Sequence, residues 1–238
     1  MRVNGPHLLY ACLHPVRALR YLRHRDRIPY HDIARFLPKK PVIVEAGAHD
    51  GTNTIEMADF WPGATIHAFE PVPFAAAAVS ERIRPYGGRV QCHAMGLGPY
   101  DGTIDMHVSG DGSSHSCQSS SMLAPAEAHL REFPEIRFGL TRAVPVVKLD
   151  SWAELNGIDR IDFIWFDMQG YELQALEGAR RLLPMTSAIQ LEISNVSLYE
   201  GAPLYPEVKA RMAAWGFRPA VEAFFRVSGN VLFVRSTA

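Results

Sequence analysis

Acids stand at or near the ends of several short apolar runs in this sequence, and a carboxylate at the end of a buried strand is well placed to meet a ligand. The run Val42 to Glu45 ends on one such acid, a turn bearing Gly47 and Gly51 follows, and a helix can start from Thr52. The next apolar run, residues 64–69, ends on Glu70. A carboxylate there has two acceptor oxygens for the two donors of a ribose. Further on, Asp167, Glu192 and Asn195 fall where later strands should end, and His115 lies in a long Ser/Gly-rich stretch. Asp167, Glu192 and His115 are groups that can take a proton from a hydroxyl. Asp167, Glu192 and Asn195 form an oxygen-donor set that could hold Mg²⁺.

The ligand of the glycine turn does not read as a dinucleotide. The nicotinamide and flavin fingerprint is G-x-G-x-x-G, whose glycines let the backbone close on a pyrophosphate. Here the spacing is Gly47-x-x-x-Gly51, with His49 where a middle glycine would be needed. Glu45 would also repel a phosphate, whereas it could accept a hydrogen bond from an ammonium, directly or through water. S-adenosylmethionine has a ribose, an amino-acid tail and no phosphate, so it fits better than NAD. Glu45, Gly47, His49, Gly51, Thr54, Glu70, Met95 and Asp167 are therefore the candidate cofactor contacts.

These residues need a doubly wound scaffold, and the chain supplies one. Strand and helix signals alternate from residue 42, which argues for a parallel sheet with helices on both faces. Thr52 to Trp61 reads as the first crossover helix, and Pro73 opens the next. Residues 89–95 form a third strand, and 102–108 alternate like an edge strand. Residues 109–126 are long for a connection, which suits a binding loop. Strands are expected at 144–150 and 161–166, a helix over 167–183, and a strand over 187–193. A helix over Pro206–Trp215 follows, and Ser228-Gly229 joins the last two strands as a hairpin. The expected fold is α/β, a mostly parallel seven-stranded sheet closed by a C-terminal antiparallel hairpin.

The 238 residues, 47% of them hydrophobic, can bury one sizeable core. Residues 1–40 read as a basic helical extension and 41–238 as the main domain. The formal net charge is −1, which gives no global case for nucleic acid, yet residues 1–40 carry nine Arg/Lys against two Asp. Leu19, Tyr21 and Leu22 interleave there with Arg17, Arg20 and Arg23, an apolar stripe beside a basic face. Such a helix can pack on the domain, self-associate, or lie on an anionic membrane surface. Cys12, Cys92 and Cys117 have no metal or disulfide spacing. No apolar run approaches bilayer-spanning length, so a soluble cytoplasmic protein is expected.

With these residues placed, the chain resembles the FkbM family of S-adenosylmethionine-dependent methyltransferases. VEAGAHDGTNT (44–54) resembles the family's first motif, which more often carries Asn where this chain has His49. HAFEPVP (67–73) is similar to its ribose-binding strand end, and SSSML (119–123) to a serine cluster in its mid-chain loop. DSW (150–152) with DMQGYELQALEGA (167–179) is the closest match, followed by LEISNVSLYEG (191–201) and LFVR (232–235). The resemblance implies a Rossmann-like methyltransferase core. It also implies O-methylation of a hydroxyl on a sugar, glycan or polyketide-like small molecule.

In-line methyl transfer asks the protein to align a nucleophile, and an alcohol needs a base as it attacks. Asp167, Glu192 and His115 are the candidates, each with a plainer alternative. Asp167 could cap a helix, Glu192 could brace a loop, and His115 could be solvated. Two carboxylates and an amide are also a common surface combination, which weakens the Mg²⁺ reading. Asp167-Met168-Gln169-Gly170 lacks the Pro-Pro-aromatic turn that grips a flipped base in DNA amine methylation. The rival functions are a non-catalytic binding module on the same fold, and a nucleotide-binding oxidoreductase or sugar-modifying enzyme.

Overall fold

The computed structural model describes residues 27–110 and 117–236. The basic helix expected around Arg17 to Arg23 and the candidate base His115 lie outside the described residues. The described chain begins with a short helix, α1 (Tyr30–Ala34), that is docked on the main body. Ile28 and Ile33 are buried in the core, and the Tyr30 ring lies 5.4 Å from that of Trp61.

The main sheet contains seven strands: β1 (Val42–Ala46), β2 (Thr65–Phe69), β3 (Val90–His93), β7 (Phe163–Phe166), β8 (Ala188–Ser194), β9 (Phe217–Phe225) and β10 (Ser228–Arg235). Their order is β3-β2-β1-β7-β8-β10-β9. The first five run parallel, and β10 is antiparallel to both β8 and β9. The further helices are α2 (Thr52–Phe60), α3 (Pro73–Arg82), α4 (Glu127–Glu132), α5 (Leu149–Leu155), α6 (Glu172–Glu177) and α7 (Tyr205–Ala214). No helix among the described residues is long and apolar enough to cross a membrane.

The central strands show why they are central. In β7, Phe163 and Trp165 face one core cluster while Ile164 and Phe166 face the other, and all four are buried. A strand covered on both faces needs apolar residues at both phases of its two-residue period. From β1 the chain winds one way to β2 and β3, and later returns to pair β7 on the other side of β1. Loops after β1 and β7 therefore diverge, and the crevice opens between them.

One expectation, the edge strand, is met in a second sheet, and one needs correcting. Residues 102–108 are a strand, β5 (Gly102–Val108), but it pairs with β6 (Leu140–Val147) and not with the main sheet. With β4 (Gly96–Leu97) these make a separate three-stranded sheet, order β4-β6-β5. Met106, Val108, Val144 and Val146 turn one face of it into the core beside β1 and β7. The helix expected over 167–183 spans only α6, which ends at Glu177; its late start follows from Gln169 and Gly170, with φ of +55° and +97°. Left-handed backbone cannot join a right-handed helix, so residues 167–171 form a turn.

Candidate active site

The loop after β1 folds back onto the end of β2. Gly47 and Ala48 N–H both donate to the Phe69 carbonyl, at 3.0 and 3.2 Å. Gly47, His49 and Gly51 all have positive φ, +85°, +50° and +76°. Gly47 is fixed by space as well as by conformation, since a Cβ there would lie 1.9 Å from the Asp167 carbonyl oxygen. Glu70 pins the loop from the other side. One of its oxygens accepts from His49 N–H at 2.8 Å and the other from Val72 N–H at 2.9 Å. Burial pushes the Glu70 carboxyl up to about 7, against the lowering effect of those two donors. Each oxygen keeps a second acceptor direction.

Glu45 is placed differently from the sequence expectation. It points away from the cavity, is 2% exposed, and accepts a 2.5 Å hydrogen bond from the Thr54 hydroxyl. Neither residue lines the cavity; together they tie α2 to β1 behind the loop. Burial pushes the Glu45 carboxyl up to about 7, with the Thr54 hydrogen bond opposing and the Asp167 and Glu70 charges adding to the rise. Met95 also lies off the cavity wall, where Gly96 and Leu97 stand instead.

Across the crevice, the turn after β7 gathers the later acids. Gln169 donates from one amide nitrogen to Asp167 Oδ1 and to Glu192 Oε2, at 2.7 Å each. The Tyr199 hydroxyl lies 3.0 Å from Gln169 Oε1 and 2.8 Å from the Ser119 carbonyl, either of which can accept its hydrogen bond. Glu172, almost fully buried, accepts from Met168 and Gly170 N–H at 2.8 and 3.2 Å, so this acid and not Asp167 ties down the turn ahead of α6. Burial pushes Glu172 up to about 7 despite those donors. Asn195 donates from its backbone to Val227 and does not line the cavity. The amide of Gln169 holds the place between Asp167 and Glu192 that a bridging cation would need.

A roof closes over these groups. The Ser121 backbone pairs with His107, and its hydroxyl donates to the Gln169 carbonyl at 2.8 Å. Ser109 N–H donates to Ser120 Oγ, and Ser119 N–H to Ser109 Oγ. The segment ahead of α4 is stitched to residues 198–200 by Ala126 N–H to the Leu198 carbonyl and Glu200 N–H to the Ala124 carbonyl. The enclosed cavity measures about 520 Å³. Gly47, His49, Glu70, Asp167 and Glu192 line it, as do the unforeseen Gln169, His129 and Tyr199. Gly51 caps α2 at the loop's end without lining it. Gln169-Gly170 ahead of an apolar helix is a turn signal that could have been read; nothing local marks His129 or Tyr199.

This geometry has counterparts. The 2-O-methyltransferase NoeI of Sinorhizobium fredii is 34% identical, over 68% of this chain and 66% of that protein. Methyltransferase sdnD of Sordaria araneosa is 29% identical, over 62% and 63%. The match thus spans just under two thirds of the length of these relatives. Among solved structures, the fibrillarin pre-rRNA processing protein of Methanococcus jannaschii shares the fold, with a TM-score of 0.50 and 12% identity over 85% of this chain and 70% of that one. The sheet is that of Rossmann-like S-adenosylmethionine-dependent methyltransferases. Residues 45–219 match the methyltransferase FkbM domain. That match takes in every residue lining the cavity except Ser228, and the chain belongs to the FkbM methyltransferase family.

Proposed function

We propose that the protein transfers a methyl group from S-adenosylmethionine to a hydroxyl of a small molecule, a sugar or glycan or a polyketide-like metabolite. The observation that carries this reading is the cavity at the topological switch point, with Glu70 on one side and the Asp167–Gln169–Glu192 cluster on the other. Such a crevice is where doubly wound folds bind nucleotide-like ligands. The free acceptor directions of Glu70 suit the two hydroxyls of a ribose. Gly47 leaves room for the backbone to close on the Asp167 carbonyl, which keeps the floor of the pocket narrow. The carboxylates of Asp167 and Glu192 suit a ligand carrying positive charge better than a pyrophosphate.

When bound, the cofactor supplies an electrophilic methyl on a sulfonium. The chain's part is to hold the acceptor oxygen in line, limit water beneath the roof of residues 107–110 and 117–133, and take a proton from the hydroxyl. Gln169 orients both carboxylates through one amide, so the reading assigns no role to Mg²⁺. The 2-O-methyltransferase activity named for the Sinorhizobium relative supports oxygen as the accepting atom.

Calorimetric titration of S-adenosylmethionine, S-adenosylhomocysteine and NAD into wild type and Glu70→Ala tests the proposal. Binding of the first two, lost or much weakened in the variant, is expected, followed by product release on a hydroxyl panel with or without Mg²⁺. Wild type that binds NAD and not S-adenosylmethionine would sink it.

A further inference from the structure

We propose that His129 is the base that takes the proton from the acceptor hydroxyl; this rests on the O-methyl-transfer reading above. His129 lies on α4 in the roof, is 1% exposed, and still lines the cavity. Its ring is boxed by Phe133, Phe138 and Tyr199, with centroids 5.2, 5.0 and 5.2 Å away. Its Nδ1 is sealed from solvent without a hydrogen-bond partner. An apolar side chain would fill the same box and leave no polar atom unpaired, so the imidazole needs a reason to be there. Since Nδ1 is sealed, Nε2 is the nitrogen left to meet a ligand in the cavity.

The surroundings favour a neutral ring. Burial lowers the His129 pKa, opposed by the Glu135 charge and by its own backbone. A neutral imidazole has one lone pair to offer, and its ordinary pKa lies closer to neutrality than a carboxylate's. Phe133 packs against it, and Ile136 and Leu198 line the same cavity; none of the three carries a competing proton acceptor on its side chain. Asp167 and Glu192, by contrast, each commit an oxygen to the Gln169 amide. Tyr199 connects the two groups: its ring touches His129, and its hydroxyl reaches Gln169. The carboxylates thus hold the cofactor side of the cavity while His129 serves the acceptor side.

The step balances. The hydroxyl O–H bond breaks and its proton goes to Nε2 as the oxygen forms a bond to the methyl carbon. The carbon–sulfur bond breaks and leaves its electron pair on sulfur. One cation, the sulfonium, becomes a neutral thioether, and one neutral imidazole becomes a cation. The imidazolium returns its proton to solvent when the products leave.

The test uses the full chain with His129→Gln and His129→Ala. S-adenosylmethionine binding is measured by calorimetry, and S-adenosylhomocysteine release is measured with methyl glycosides and glycerol as acceptors. Both variants should bind S-adenosylmethionine as wild type does, and turnover should fall by about 10²–10⁴-fold. Added imidazole should restore part of the rate of His129→Ala and none of His129→Gln, whose side chain still fills the box. Undiminished turnover in either variant overturns the proposal. So does loss in His129→Ala that imidazole fails to rescue while the cofactor still binds, because that marks a purely structural residue. Wild type that binds S-adenosylmethionine but releases no product would remove the transfer reading itself, and the role of His129 with it.

Discussion

On the floor of the cavity, Gly47, His49 and Gly51 turn within one short loop, held by the Phe69 carbonyl and the Glu70 carboxylate. On the roof, Ser121 reaches back to Gln169, and α4 is stitched to residues beyond β8 that are far away in sequence. The floor is made of backbone geometry at the ends of adjacent strands. The roof is made of side chains brought together by the excursion between β3 and β7. Backbone-built sites tolerate few alternatives at each position, whereas side-chain contacts can be exchanged one pair at a time. With the floor as the proposed cofactor seat, the fold can keep that seat while its roof is refitted to different acceptors.

The most direct way to break this contrast is Gly47→Ala. Its φ of +85° strains any side chain, and the Cβ would overlap the Asp167 carbonyl. Left-handed backbone alone costs about 1–2 kcal/mol, and the overlap must also push β1 from β7. Denaturant unfolding should show a loss above that figure, and calorimetry should show cofactor binding abolished. Wild-type binding by the variant would mean that the floor is not set by its backbone.

Buried acids sharpen the contrast through pH. Glu45, Glu70 and Glu172 are pushed up to about 7 in the folded chain, all by burial first, while in the unfolded chain they ionise near the ordinary 4.5. Between those values the folded state holds more protons at these three acids, so their contribution to stability falls as pH rises through the window. His67, whose pKa burial lowers to about 4, opposes that fall in the lower part of the window. The melting temperature of the ligand-free protein should be higher near about pH 5 than near about pH 8. Glu172→Gln, which keeps an acceptor oxygen for Met168 and Gly170, should flatten the slope without touching the Glu45 and Glu70 contributions. A profile that rises across the window would show these acids to be paired or solvated.

A smaller effect is expected where floor and roof meet. Gln169→Leu leaves Asp167 and Glu192 without their shared donor and Tyr199 with only the Ser119 carbonyl. A hydrogen bond to a charged group contributes up to about 3 kcal/mol, and less at these half-buried carboxylates, so the loss is readable as a slightly lowered denaturant midpoint. Turnover should drop more than cofactor affinity does, because the amide joins the carboxylates to the roof. Equal losses in both would make Gln169 part of the floor alone.

Much of the floor was readable in the sequence because its signals are local. A β-branched run, a glycine turn, a helix start and an acid after the next strand all sit within residues 42–70. Even there, burial had to be seen before Glu45 and Thr54 could be assigned to holding α2 and not to the cavity. Strand phase explains it: Ala46 and Glu45 face opposite sides of β1, and a short run does not say which side the ligand takes. Met95 stands off the cavity wall, one position short of Gly96.

The sequence by itself determined the parallel sheet, its C-terminal antiparallel pair, the turn at Gly47 and the acids at the strand ends. Periodicity and turn chemistry act over a few residues, and a linear chain displays them. Tertiary structure alone decided that residues 102–108 leave the main sheet for β6, that Gln169 bridges Asp167 and Glu192, and that His129 reaches the cavity wall. Each of those depends on contacts between segments tens of residues apart. No local propensity encodes them; they follow from how two core clusters close around one sheet.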